Sequence, residues 1–207
     1  IVVLSVMNGF DAEIKQRLLR VVPHITAVSP EPISAPQIAD LEQHLANDSE
    51  VAAVVPMVQS YAMLSYAGQQ VGVMVQGIDA SWPTVQLVKE HMIAGHIAQL
   101  APGEFGIVLG SQVARKLDLF VGDRVQLTLP DVNITPAGVF PRIKRFVVVG
   151  VFKVGAQVDA SVSFIHQQDA RKLLRLGGNY QGVQLQMHNA YAADQWVLKN
   201  QQLFDWR

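Results

Sequence analysis

Six histidines, at positions 24, 44, 91, 96, 166 and 188, are the side chains best suited to metal ligation or proton transfer in this chain. His91 and His96 lie five apart with Glu90 beside them, the nearest approach to a ligand set. That spacing does not put two imidazoles on one helix face, as an i,i+4 pair would, and no third ligand follows at a suitable interval. Histidines of a loop near a turn are the favoured reading. Ser111 follows Gly110 in a Leu-Gly-Ser-Gln-Val run that resembles a strand–turn–helix elbow, but Val113 stands where the second glycine belongs. Ser111 is therefore read as a first-turn helix residue, and Asp169 as a helix-start residue. Gly103, Gly106 and Gly110 match neither standard phosphate-loop spacing, and no Gly-Lys-Ser/Thr follows. There is no cysteine, which removes thiolate chemistry and disulfides together. Trp82, Trp196 and Trp206 are far apart and read as core or interface anchors rather than a stacking platform. The expectation is a chain without a catalytic residue, metal or cofactor, whose work is done by a surface.

The surface that stands out is the segment 130–144, PDVNITPAGVFPRIK. Pro130, Pro136 and Pro141 favour extended backbone that cannot enter a central sheet. Ile134, Val139 and Phe140 are apolar residues that a solvated loop does not need, and they argue against disorder. A hairpin connection is usually about two to five residues, so a longer one calls for a function. The segment reads as a projecting arm that offers backbone hydrogen bonds and a few apolar side chains to a partner.

Composition agrees with a domain accustomed to a membrane or to partners. Half of the 207 residues are hydrophobic and 16% are charged, with a mean hydropathy of +0.22. A net charge of -1 argues against a nucleic-acid surface. Lys15, Arg17 and Arg20 fall along one amphipathic segment and read as a solvated helix face. The opening Ile-Val-Val-Leu-Ser-Val-Met run has no basic n-region and is shorter than the roughly 20 apolar residues that span a bilayer. Two readings stand equal for it: the end of a transmembrane helix over 1–10 followed by an extramembrane domain, or a buried amino-terminal strand.

The elements that would position the arm follow from periodicity and punctuation. Helices are predicted over 11–22, 34–46, 82–88, 110–117, 167–176 and 190–200. Strands are predicted over 24–28, 51–66 with a break at Pro56, 70–77, 105–109, 124–129, 145–154, 161–165 and 181–187. Ser29-Pro30-Glu31-Pro32 reads as a turn, and 89–103 as loop. Without a regular βαβ repeat the fold class is α+β. Two lobes are expected: 11–74 with 179–207 as a membrane-proximal lobe, and 75–178 as a β-rich lobe carrying the arm.

The arm and its flanks carry a family resemblance. The run Gly122-Asp123-Arg124-Val125, then Pro130, Thr135-Pro136-x-Gly138-x-x-Pro141 and Phe146-x-Val148-x-Gly150, resembles the periplasmic domain of the LolC/LolE lipoprotein-releasing permeases. Leu4 through Phe10, Val22-Pro23-His24, Gln76-Gly77-Ile78-Asp79, Ile107 through Gly110, and Gln157-Val158-Asp159 before Asp169-Ala170 extend the likeness over essentially the whole chain. The resemblance implies a two-lobed domain of the macrolide-exporter permease kind. It belongs to a Gram-negative inner-membrane ABC transporter that passes lipoproteins to the periplasmic carrier LolA, with ATPase activity on a separate LolD subunit and a second permease subunit beside it. It further implies a carrier-binding hook, residues 130–141, including Pro130, Ile134, Thr135, Pro136, Ala137, Gly138, Val139, Phe140 and Pro141. A pad is implied at Gln126, Ile143 and Lys144, where this sequence departs from the family: arginine and glutamine positions hold Gln126 and Ile143, and Lys144 alone keeps a comparable charge.

The arm resembles the LolC branch, while Val22-Pro23-His24 and the segment 155–159 resemble LolE. A hybrid subunit acting as a homodimer would reconcile them. Two rivals stay open: an adaptor-docking permease of the macrolide-exporter type, and a small-ligand receptor or enzyme with a pocket between lobes.

Overall fold

The computed structural model describes residues 24–82, 85–135, 138–155 and 157–204. The amino-terminal segment 1–10 and the helix expected over 11–22 lie outside the described residues. Two compact units are present, Ile1–Pro56 with Asn179–Arg207 and Met57–Gly178.

The first unit is built on a three-stranded sheet. Its strands are β1 (Ile25–Ile33), β2 (Val51–Met57) and β10 (Tyr180–Met187), in the order β1-β10-β2. β1 pairs antiparallel with β10, and Ala27 lies opposite Val183. The predicted turn at 29–32 is instead a register irregularity within β1, between Val28 and Ile33. Prolines 30 and 32 each lack an N–H, and a strand interrupted by a bulge can accept that loss. The helix Ala35–Leu45 begins where predicted, with Pro36 in its first turn. The Gln37 side chain accepts from both the backbone N–H and the hydroxyl of Ser34, at 2.9 and 2.7 Å. Its periodic apolar face buries Ile38, Leu41 and Leu45. In the helix Ala193–Lys199, Trp196 is 1% exposed, and its indole N–H donates to Asp48 at 2.7 Å.

The second unit is a closed ring of strands. β3 (Gln59–Tyr66), β4 (Gln69–Ile78), β5 (Met92–Gly95), β6 (Gly106–Gly110), β7 (Arg124–Thr135), β8 (Gly138–Phe152) and β9 (Val162–His166) form a sheet in the order β5-β8-β6-β9-β4-β3-β7. Pairing of β7 with β8 closes six of these strands upon themselves, leaving β5 alongside the end of β8. The β4–β9 and β6–β8 pairs are parallel and the others antiparallel. β6 and β9 are buried at all five positions, as strands covered on both faces should be. Leu64, Ile107, Leu109, Leu127, Phe146, Phe152 and Ile165 fill the core.

The unit boundary falls at 56/57, whereas the sequence placed 57–74 in the first lobe. β3 belongs with the second unit because its residues 59–66 pair with β4 and its residues 63–65 with β7. β5 forms in the segment 89–103 that reads as loop in sequence; it has no alternating pattern of its own and exists by pairing with β8.

Candidate docking arm and its base

The arm is the outer end of β7 and β8. Leu129 pairs with Arg142 and the next pair is Val132 with Pro141, so Pro130 and Asp131 make an excess of two residues on β7. A bulge suits a proline, which has no N–H for the ladder. Beyond the bulge Asn133 pairs with Phe140, Ile134 with Val139 and Thr135 with Gly138. Pro136 and Ala137 lie outside the described residues. The expected hook residues on either side of them thus occupy a two-stranded ribbon. Among the described residues no third strand pairs with 130–141, which leaves the backbone groups on the ribbon's outer edges without ladder partners.

The pad residues sit where the ribbon joins the ring, and the pleat divides them. Met63 pairs with Thr128, which pairs with Ile143; Ser65 pairs with Gln126, which pairs with Arg145. Gln126 and Ile143 therefore share the outward face with Met63. Ile143 is 51% exposed there. Lys144 is opposite Leu127, a wholly buried residue, and belongs to the other face. Its ammonium stands 3.7 Å from the centroid of the Phe105 ring, close enough for attraction to the π face.

Beside Lys144 lies a groove of about 410 Å³, lined by Phe105, by Pro141, Arg142, Lys144 and the neighbouring Ile143, and, from the helix Gln167–Leu174 and the residue after it, by Lys172, Leu173 and Arg175. Arg142 donates to the Leu173 carbonyl at 3.3 Å. Sequence spacing had no signal for this arrangement, because its two halves are about thirty residues apart and meet through the ring.

Buried carboxylates hold the neighbouring loops. Asp169, fully buried, accepts backbone N–H bonds from Gly103 at 2.8 Å and Phe105 at 3.2 Å. Asp159, 1% exposed, accepts from Val154 at 2.9 Å and Gly155 at 3.0 Å, and from the Ser111 hydroxyl at 3.4 Å. The hydroxyl of Ser111 thus meets a carboxylate already committed to two amides, an arrangement that fixes a loop. Asp79 accepts from the Ser81 hydroxyl and amide and from Gln167. The Ser81 hydrogen bonds, more than the nearby His166, hold its carboxyl below the usual value. The Nδ1 atom of His166 accepts from the Gln168 amide, and that of His24 accepts from Met187. Among the described residues no three metal-ligating side chains converge, and no helix is long and apolar enough to cross a membrane.

Residues 1–196 match the family described as MacB-like periplasmic core domain. This chain belongs to that family. Among its relatives is the lipoprotein-releasing system transmembrane protein LolC of Neisseria meningitidis serogroup B, 41% identical over 90% of this chain and 45% of the relative. The LolE protein of Haemophilus influenzae is 28% identical over 93% of this chain and 47% of its own length. The chain spans about half the length of the curated relatives it matches. The crystal structure of the extracellular domain of the noncanonic ABC-type transporter YknZ, from Gram-positive bacteria, has a similar fold. Its TM-score is 0.50 at 17% identity, covering 84% of this chain and 87% of that one. The α+β class and the resemblance to LolC/LolE periplasmic domains read from the sequence both stand on these matches.

Proposed function

We propose that this chain is the periplasmic domain of a lipoprotein-releasing ABC permease of the Gram-negative inner membrane, and that its β7–β8 ribbon docks the periplasmic carrier LolA. The observation that carries the proposal is the ribbon itself, paired strand to strand out to Thr135 and Gly138 with no third strand along it among the described residues. A ribbon ordered before binding loses little chain entropy on docking, so a modest contact area suffices. Its outer edge can extend a partner's sheet by backbone hydrogen bonds. Gln126 and Ile143 on the outward face would add contacts at the foot.

The chain itself is proposed to be non-catalytic: ATP hydrolysis on a LolD subunit would drive the cycle, and a second permease copy, alike or different, would complete the transporter. The unit holding both ends of the chain is proposed as the membrane-proximal one. Similarity to both LolC and LolE relatives supports keeping the hybrid homodimer as the assembly to test first. Calorimetric titration of LolA into this chain tests the docking, with a variant carrying a Gly-Ser linker at 135–141 as control. Recovery of two different permease chains in the purified complex would reject the homodimer.

A further inference from the structure

Four cationic side chains, Arg142, Lys144, Lys172 and Arg175, line one side-facing groove at the foot of the ribbon, together with Phe105 and Leu173. Two of them are already oriented from within: Arg142 by the Leu173 carbonyl and Lys144 by the Phe105 ring. Lys172 and Arg175 are exposed. Among the described residues no carboxylate lines the groove. Asp169, in the same helix as Lys172, is buried and committed to the Gly103 and Phe105 amides. Glu104 adjoins Phe105 in sequence and is exposed outside the lining.

Basic residues in a last helical turn ordinarily serve the helix's own carbonyls. Here those carbonyls have other donors. The Arg171 carbonyl accepts from the amides of Arg175 and Leu176, that of Lys172 accepts from the Arg175 amide, and that of Leu173 accepts from Arg142. The Lys172 and Arg175 side chains are thus available for an external anion. The backbone keeps the groove's aromatic wall in place: Phe105 has a positive φ of 51°, a conformation costly for a bulky residue, and the Asp169 carboxylate holds its amide.

We infer that this groove binds an acidic segment of the protein that the ribbon captures, with carboxylates against the four cations and an apolar residue against Phe105 and Leu173. The inference rests on the docking reading for its partner and on charge complementarity for its chemistry. A chain of net charge -1 that gathers four cations around one groove has built a local positive field.

The test uses two probes, the carrier and a fluorescein-labelled decaglutamate peptide, with decaglutamine as the neutral control. Three forms of the chain are compared by anisotropy: unaltered, Lys172→Glu with Arg175→Glu, and the 135–141 linker variant. Both reversed residues are exposed, and a thermal melt verifies that the fold is kept. The expected result is decaglutamate binding that weakens at least about tenfold on charge reversal and survives in the linker variant. Carrier binding weakens in the reversed form and loses most of its salt dependence. Equal decaglutamate binding by the unaltered and reversed forms, or no preference over decaglutamine, overturns the groove. So does binding of phosphatidylglycerol vesicles, lost on charge reversal, in the absence of decaglutamate binding. A linker variant that still binds the carrier overturns the docking reading and leaves the peptide result to decide the groove.

Discussion

Asp169 and Phe105, 64 residues apart in sequence, are joined by a 3.2 Å hydrogen bond from the Phe105 amide to the buried carboxylate. The bond fixes a left-handed phenylalanine whose ring packs edge-on against Phe146, at 5.7 Å, and under the Lys144 ammonium. One buried acid therefore sets the wall against which the arm's base is built. Asp169→Ala would strand two backbone donors, and the expected loss of stability is about 3 kcal/mol. Asp169→Asn keeps one acceptor and should lose less. Urea denaturation checks both, and an unaltered midpoint for Asp169→Ala would contradict the role.

Gly110 is where the sequence resembles a nucleophile elbow, and its need for glycine is steric. A Cβ there would stand 2.3 Å from the Asp159 carbonyl oxygen. Gly110→Ala should therefore cost at least about 2 kcal/mol through a backbone shift. The Asp159 bonds to Val154 and Gly155 should loosen with it, seen as faster hydrogen exchange at those amides.

The first unit has its own reporter. Asp48→Ala removes the acceptor for the buried Trp196 indole, with an expected cost of about 1–2 kcal/mol. A red-shifted tryptophan emission midpoint at lower denaturant than the parent's would confirm it.

Acid should weaken the second unit through Asp79. Its folded value is lowered from 3.8, chiefly by Ser81, so the unfolded chain takes up the proton first. The stabilisation is present above about pH 4 and is lost as pH falls from there through the folded value. Asp79→Asn should flatten that part of the stability profile, and an equal acid slope in the variant would rule out the assignment.

The pleat makes a prediction about the pad. Gln126 and Ile143 share the outward face while Lys144 lies across the strand. In carrier binding, the Gln126→Ala and Lys144→Ala losses should add to within about 0.5 kcal/mol, whereas Gln126→Ala and Ile143→Ala should couple. Strong coupling of the first pair would mean that one partner surface reads both faces.

The extended, hairpin-like backbone of 130–144 was legible because prolines are local signals, but the sequence ended its strands at 129 and resumed them at 145, whereas β7 runs on to Thr135 and β8 starts at Gly138. Helix 35–45 was legible for the same reason: Ser34, Pro36 and the Ile38–Leu41–Leu45 spacing sit side by side. The ring was not, since closure depends on β8 pairing with β7 through one half of its length and with β6 and β5 through the other. β1 passes through Pro30 and Pro32 because an irregular register absorbs them, which local turn chemistry does not anticipate. The basic groove has no signal in the sequence because Arg142 and Lys144 are separated from Lys172 and Arg175, and only the tertiary fold sums their charge.

Capture of the carrier by the ribbon is the proposal on which the other readings rest. Calorimetric titration of LolA into this chain, beside the variant with a Gly-Ser linker at 135–141, tests it most directly. Measurable binding by the unaltered chain and none by the variant, with both melting at the same temperature, is the expected result. Equal binding by the two would contradict it.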